Sequence, residues 1–223
     1  MITCLNLISG CIACVLAFNN DDHYLWAFIF IIIASVFDFF DGFAARVLKA
    51  YSNIGKELDS LADMVSFGVA PGMIIFIFLQ KSFLLYCPDS LFIYLSYLAF
   101  LIPAFSALRL AKFNVDDRQT TSFIGLPTPA NALFWGSLIH LLSSYLDISP
   151  LYKIISVILC IFLFSYLMIS EVPMFSLKFK NYAWKGNEAR YILISAALLL
   201  FIFFNLSGIS LIIIIYILMS LFF

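Results

Sequence analysis

The hydrophobic residues of this chain fall into long runs, separated by short stretches that are polar or contain proline and glycine. A helix needs about 20 mostly apolar residues to cross a hydrocarbon core roughly 30 Å thick, and most of the runs approach that length. The pattern predicts an all-α polytopic membrane protein with about eight transmembrane helices, over residues 3–19, 25–46, 57–79, 91–113, 127–146, 151–170, 190–206 and 208–223. Because only a short polar stretch separates the last two runs, one re-entrant segment there is the alternative to two spans.

Composition excludes an ordinary soluble fold, since 64% of the 223 residues are hydrophobic, 11% are charged and the mean hydropathy is +1.08. The apolar runs leave no room for a separate soluble domain, so we predict a single integral membrane domain over residues 1–223.

A net charge of −1 gives no electrostatic footprint for nucleic acid. The five cysteines have no histidine partner at metal-ligand spacing, and we interpret them as packing residues.

Basic residues predict the orientation of the helices. If both termini are cytoplasmic, ten of the twelve Lys and Arg residues lie on the inner side, and only Lys81 and Lys153 lie outside. This asymmetry follows the positive-inside rule, so we expect a multi-pass protein of the cytoplasmic membrane with both termini inside. The loops around 47–56, 114–126 and 171–189 then form a basic inner face, which suits an anionic headgroup or a nucleotide.

Four acids cluster near the predicted cytoplasmic ends of helices 2 and 3. Asp38 and Asp41 are three residues apart on one helix, and Asp59 and Asp63 are four apart on the next, so each pair shares a helical face. Carboxylates are costly within a membrane unless they have partners, and hard divalent cations with oxygen ligands neutralise such a group. We therefore predict a site for two divalent ions, Mg²⁺ or Mn²⁺ rather than zinc, because no histidine lies near.

Small residues lie between the two acidic pairs. Gly42, Ala45 and Gly55 leave room for a ligand to approach the helix backbones closely. Simple pairing of the acids with Arg46, Lys49 and Lys56 is an alternative, but it leaves four carboxylates facing three cations and does not explain the spacing. A divalent-cation transporter is a second alternative, although it would not need Gly42, Ala45 and Arg46 at fixed positions.

The segment from Asp38 to Asp63 reads D-x2-D-G-x2-A-R-x8-G-x3-D-x3-D, with eight fixed residues over 26 positions. At every defined position it resembles the signature of the CDP-alcohol phosphotransferase family. Further segments are similar to the branch of that family that uses serine as the acceptor. They are Thr3-x2-Asn6-x3-Gly10, the run Gly55–Asp63 continuing to Ser66–Pro71, Arg109–Asn114 and Gly125–Ala130, and together they cover residues 3–131.

The resemblance implies an enzyme that transfers the phosphatidyl group of CDP-diacylglycerol to the hydroxyl of L-serine and releases CMP. It also implies a homodimer and two divalent ions. Asp38, Asp41 and Asp59 would ligate the ions, and Asp63 would ligate or act as the general base. Gly42, Ala45, Arg46 and Gly55, with Thr3 and Asn6 of the first helix, would bind the CMP part of the liponucleotide.

Basic residues at the end of predicted helix 4 and shortly after it are candidates for binding the lipid phosphate and the serine carboxylate. Arg109, Lys112 and Arg118 are expected on the cytoplasmic side, where they could hold the lipid phosphate or the serine carboxylate, with Asn114 assisting. Arginine suits bidentate carboxylate recognition better than lysine does. Another acceptor, such as glycerol 3-phosphate or inositol phosphate, would leave the acidic motif unchanged and stays open as an alternative.

Overall fold

A computed structural model describes residues 2–18, 23–48, 52–86, 91–116, 123–174, 184 and 187–222. Within these residues its main elements are nine α-helices and two short strands. The helices are α1 (Ile2–Ala17), α2 (His23–Leu48), α3 (Asn53–Asp63), α4 (Ala70–Tyr86), α5 (Leu101–Val115), α6 (Thr128–Ser144), α7 (Pro150–Ile169), α8 (Glu188–Phe204) and α9 (Gly208–Phe222). The strands are β1 (Phe123–Ile124) and β2 (Pro173–Met174).

In the part of the chain that the structure describes, five helical stretches are long and apolar enough to cross a membrane, and α1 is apolar but shorter. The five are Tyr24–Leu48, Ile54–Tyr86, Leu91–Val115, Pro150–Ile169 and Glu188–Leu221. These stretches confirm the all-α membrane class that the hydrophobic runs predicted. The count of eight crossings and the orientation of the helices stay predictions.

One continuous helical stretch carries α3 into α4 through a π-helical turn, Met64–Val69. The α3 helix begins after Ser52, whose hydroxyl accepts a hydrogen bond from the backbone N–H of Gly55 at 3.0 Å. Turns of π-helix are rare and often mark functional sites. Here the turn starts directly after Asp63 and buries Ser66, Phe67 and Gly68 against neighbouring helices.

The buried core lies among α2, α4, α6 and α7. Phe134 of α6 stacks on Phe164 of α7 with ring centroids 3.8 Å apart, and the fully buried Trp135 packs edge-on against both rings. A Cβ added at Gly136 would lie 2.2 Å from a ring carbon of Phe28, so α6 approaches α2 closely at this glycine. This contact fixes α6 against the helix that carries the first pair of acids.

A two-stranded antiparallel sheet connects the segment before α6 with the segment after α7, pairing Phe123 with Met174 and Ile124 with Pro173. Beyond it, Gly125 has a φ of 75° and donates its N–H to Val172 at 2.9 Å, and Leu126 donates to Leu167 at 3.0 Å. An added Cβ at Gly125 would lie 2.7 Å from the Met168 carbonyl oxygen, so a larger residue does not fit. These bonds fix the start of α6 beside the end of α7.

The last helical pair is interrupted at Asn205–Ser207, where a 3-10 turn separates α8 from α9. Asn205 has a positive φ of 49°, and the carbonyl oxygens of Leu206 and Ser207 each accept a hydrogen bond from the Ser137 hydroxyl at 3.0 Å. Polar groups freed by the break are thus satisfied by α6. Whether this pair makes two spans or one re-entrant segment stays a prediction.

Candidate active site

Three of the four predicted acids converge between α2 and α3. One carboxylate oxygen each from Asp38, Asp59 and Asp63 lies within 4.8 Å of the others, and all three side chains are half-buried. Asp59 and Asp63 are one turn apart on α3, and α1, which packs against both α2 and α3, holds the helix of Asp38 beside them. The predicted convergence of carboxylates is therefore present for these three residues.

The donor set fits a hard divalent cation. Three like charges at this separation repel one another, and the group contains oxygen donors without histidine or cysteine. Mg²⁺, Mn²⁺ and Ca²⁺ prefer carboxylate oxygens, whereas structural zinc sites use mostly thiolate and imidazole ligands. The residues present thus match the class of ion that the sequence predicted.

Asp41 lies outside this group of three. Its Oδ2 accepts a hydrogen bond from the Thr3 hydroxyl of α1, and its side chain lines a neighbouring cavity of about 640 Å³. The same cavity is lined by most of the residues that were predicted to bind the liponucleotide, namely Thr3, Gly42, Ala45, Arg46 and Gly55. Apart from its own helical turn, no described residue has an atom within 4 Å of the position that a Cβ of Gly42 would take, which leaves open space beside Asp41. We call this space the first cavity.

A second cavity of about 290 Å³ also borders Asp59. It is lined by the three clustered acids, by Arg109, Phe113 and Asn114 near the end of α5, and by Pro127, Thr128 and Pro129 at the start of α6. Asp59 and Lys56 line both cavities. Of the clustered acids, Asp59 therefore borders both spaces, and each space is large enough for part of a substrate.

Arg109 links the second cavity to a third. Its side chain is only 4% exposed, its guanidinium lies over the Phe113 ring at 5.3 Å, and it also lines a cavity of about 460 Å³. Lys112 lines this third cavity and donates its ammonium to the Ile169 carbonyl oxygen at 3.3 Å. Asp116 and Glu171 lie there too, so this space carries charges of both signs.

Three predicted substrate-binding residues remain: Asn6, Asn114 and Arg118. Asn6 donates from Nδ2 to Asp63 Oδ1 at 3.0 Å and does not line the first cavity. Asn114 donates to the Ser60 hydroxyl at 2.8 Å and faces the second cavity. Arg118 falls outside the residues that the structure describes.

Lys56 and Ser66 were not among the predicted site residues, although Lys56 was considered as a partner of the acids. Lys56 donates to the backbone oxygen of Asn114 at 3.1 Å and so ties α3 to the end of α5. Ser66 donates to the backbone oxygen of Asn6 at 2.9 Å. The position of Lys56, three residues before Asp59 and so on the same helical face, was the available signal for Lys56. The contact of Ser66 spans 60 positions and has no local signal.

Comparison with known proteins agrees with this geometry. A model of the CDP-alcohol phosphatidyltransferase family matches residues 1–175. A protein of Bacillus subtilis (strain 168) named CDP-diacylglycerol–serine O-phosphatidyltransferase is 43% identical over 129 residues, which cover 58% of this chain and 67% of that protein. Proteins of the same name from Methanocaldococcus jannaschii and Mycobacterium leprae (strain TN) are 34% identical over 145 residues and 36% over 150 residues.

The matches cover 65% and 63% of this chain, and 61% and 46% of these two relatives. The family match covers the whole predicted motif and every described residue that lines the three cavities. This chain belongs to the CDP-alcohol phosphatidyltransferase family.

Proposed function

We propose that this protein is a phosphatidylserine synthase, which transfers the phosphatidyl group from CDP-diacylglycerol to the hydroxyl of L-serine and releases CMP. The observation that carries the proposal is the convergence of Asp38, Asp59 and Asp63 on the second cavity, with Asp59 also lining the first. A two-substrate transfer needs this arrangement, because each substrate can approach the same charged group from its own side. The names of the relatives support serine as the acceptor.

Asp38, Asp59 and Asp63 would hold divalent cations, Mg²⁺ or Mn²⁺, with Asp41 contributing from the first cavity. When bound, such ions neutralise the charge of the pyrophosphate and favour departure of its nucleotide half. Two of the predicted ligands are already engaged with α1: Asp41 through the hydroxyl of Thr3 and Asp63 through the amide of Asn6.

The first cavity suits the liponucleotide. Gly42, Ala45 and Gly55 present little side-chain bulk there, so the nucleotide can lie close to the backbones of α2 and α3. Arg46 and Lys56 line the same space and supply positive charge for phosphate oxygens. Thr3 lines it from α1 and offers a hydroxyl.

The second cavity suits the acceptor. Arg109 offers the planar fork that binds a carboxylate in bidentate fashion, and Asn114 lines the same wall. Lys112 in the third cavity and Arg118 remain proposed binding residues for the serine carboxylate or the lipid phosphate. Serine would reach the acids from the side opposite the nucleotide, which is the geometry that displacement at phosphorus requires.

Asp63 is the proposed general base, because it lines the acceptor's cavity and belongs to the carboxylate group. A serine hydroxyl is too weak an acid to react unaided. Its oxygen forms a bond to the phosphorus that bears diacylglycerol as the bond from that phosphorus to the bridging pyrophosphate oxygen breaks. CMP leaves with the electron pair, and the hydroxyl proton passes to Asp63 and then to solvent.

A panel of acceptors tests this function directly. Purified protein is supplied with CDP-diacylglycerol, Mn²⁺ and, in turn, L-serine, glycerol 3-phosphate or inositol phosphate, and CMP release is measured. We expect release with L-serine only. Release with one of the other two acceptors would assign a different branch of the family. No release with any of the three acceptors, together with Mn²⁺ uptake into sealed vesicles, would favour a cation transporter.

We further propose that the protein lies in the cytoplasmic membrane with the acids on the cytoplasmic side, and that it forms a homodimer. The ten basic residues of the predicted inner face support this orientation. In a chain without its own cysteines, Lys112→Cys should react with an impermeant maleimide only from the cytoplasmic face, and Tyr145→Cys only from the other. Sedimentation in detergent should give the mass of two chains.

A further inference from the structure

Asn6 is a fully buried polar residue in the middle of an apolar helix. Its side chain is 0% exposed, and its amide Nδ2 donates to Asp63 Oδ1 at 3.0 Å across 57 positions of sequence. The amide therefore touches the acid that serves as the base in the proposed reaction. Asn6 is absent from the linings of the three described cavities, so its amide reaches Asp63 from within the packed helices and not from a cavity.

The backbone of Asn6 is held as firmly as its side chain. The Ser66 hydroxyl donates to the Asn6 carbonyl oxygen at 2.9 Å, and Ser66 is itself fully buried in the π-helical turn. One turn further along α1, Gly10 lets the two backbones approach, because a Cβ there would lie 2.7 Å from the Cα of Ser66. The segment that carries Asp63 is thus bonded to Asn6 at two points.

Stability alone does not account for an asparagine at this position. Its Oδ1 atom is buried and finds no hydrogen-bond donor among the residues that the structure describes. An unsatisfied buried polar atom costs roughly 1–3 kcal/mol, whereas an apolar side chain of the same shape carries no such cost. Leucine at this position would remove that cost, which offsets the loss of the hydrogen bond to Asp63.

We propose that Asn6 is a positioning residue for Asp63 and not a contact for the nucleotide. Its amide holds one carboxylate oxygen of Asp63, which fixes the rotation of that carboxylate and leaves the other oxygen for the acceptor hydroxyl or a cation. Thr3, one turn earlier, donates to Asp41 in the same way, so one face of α1 orders acids from both α2 and α3. This inference rests on the proposed function for the role of Asp63.

Two substitutions of nearly the same shape separate positioning from packing. Asn6→Leu removes the donor, and Asn6→Asp replaces it with a like charge. We expect kcat to fall roughly 10- to 100-fold in Asn6→Leu and further in Asn6→Asp, as is typical when the outer partner of a ligating group is lost. The KM for CDP-diacylglycerol should change less than twofold, and the thermal unfolding midpoint of Asn6→Leu should equal or exceed that of the parent.

Mn²⁺ binding gives a second measurement that does not need turnover. Asn6→Leu should weaken Mn²⁺ binding about tenfold in the parent, but hardly at all in a chain that already carries Asp63→Asn, because the two changes act through the same contact. Isothermal titration of the four proteins measures this cycle. Ser9→Ala is the control, since Ser9 lies on the same helix and only donates to the Leu5 carbonyl oxygen of its own turn.

Several outcomes would overturn the inference. Equal weakening of Mn²⁺ binding in both backgrounds would show that Asn6 acts independently of Asp63. A raised KM for CDP-diacylglycerol with unchanged kcat would make Asn6 a nucleotide contact, and a lowered unfolding midpoint with unchanged kcat would make it a packing residue. Failure of the parent protein to release CMP with serine would count against the proposed function instead, and the Mn²⁺ cycle would still test the contact.

Discussion

The close contact between α1 and the π-helical turn predicts the effect of a single methyl group at Gly10. In Gly10→Ala the new Cβ would lie 2.3 Å from the hydroxyl oxygen of Ser66 and 2.7 Å from its Cα. Carbon atoms prefer about 3.5–4.0 Å, so the two backbones must separate by roughly 1 Å. The hydroxyl could rotate away, but the Cα belongs to the backbone, and α1 must therefore move.

This movement affects activity more than stability. Overpacking of this kind costs about 1–3 kcal/mol, and alanine recovers about 1 kcal/mol of that through its higher helix propensity. The net loss of stability is therefore about 0–2 kcal/mol. A displacement of about 1 Å at Asn6 and Thr3, which both hold acids of the site, should lower kcat about 10²-fold.

Gly136→Ala is a matched comparison for this change. Its Cβ would lie 2.2 Å from a ring carbon of the buried Phe28, at the contact of α6 with α2 and away from the carboxylates. We expect it to lower the thermal unfolding midpoint in detergent at least as much as Gly10→Ala, with kcat per folded molecule nearly unchanged. If the two variants lose kcat equally, or if Gly10→Ala loses none, then α1 does not order the acids.

Three further predictions concern the site itself. Turnover should vanish in EDTA and return with Mn²⁺ or Mg²⁺ but poorly with Zn²⁺. Full turnover in metal-free buffer would contradict the interpretation of the carboxylate group as a divalent-cation site. Arg109→Lys keeps the charge but loses the bidentate fork, so the KM for serine should rise at least tenfold while the KM for CDP-diacylglycerol changes little. Equal changes in both KM values would argue for a structural role of Arg109. Asp63→Asn should lower kcat by roughly 10²-fold with liponucleotide affinity retained, whereas Asp41→Asn should weaken Mn²⁺ and liponucleotide binding together. Titration and turnover of both variants measure this difference. The opposite pattern would exchange the roles of these two residues.

Hydrophobic periodicity located the helices well because lipid and packed helices both select apolar side chains over whole turns. The predicted start at residue 57 nevertheless misses the first turn of α3, which the structure begins at Asn53. That turn contains Gly55 and Lys56, which are not apolar, and it is defined by the capping hydroxyl of Ser52. Local capping chemistry, which hydropathy does not measure, decided this boundary.

Contacts within the site could be predicted from the sequence where the residues lie on the same helix or on adjacent helices, but not where distant segments meet. Asp59 and Asp63 share a face of one helix, so their spacing alone indicated their proximity. The contact of Asn6 with Asp63 depends on the depth at which α1 packs against the π-helical turn. That turn follows from tertiary packing, since the residues of Met64–Val69 carry no propensity that separates a π-turn from an ordinary α-helical turn.

The sheet formed by β1 and β2 separates the part of the chain that lines the three cavities from the last two helices. None of the described residues that line the three cavities comes from beyond Glu171, and β2 ends at Met174, one residue before the end of the family match. The helices α8 and α9 follow, and α9 packs against α6 and β2. We therefore expect these two helices to tolerate substitution as long as they remain apolar and complementary to α6. A chimera that takes its last two helices from a distant relative should inherit the acceptor preference of the part before them.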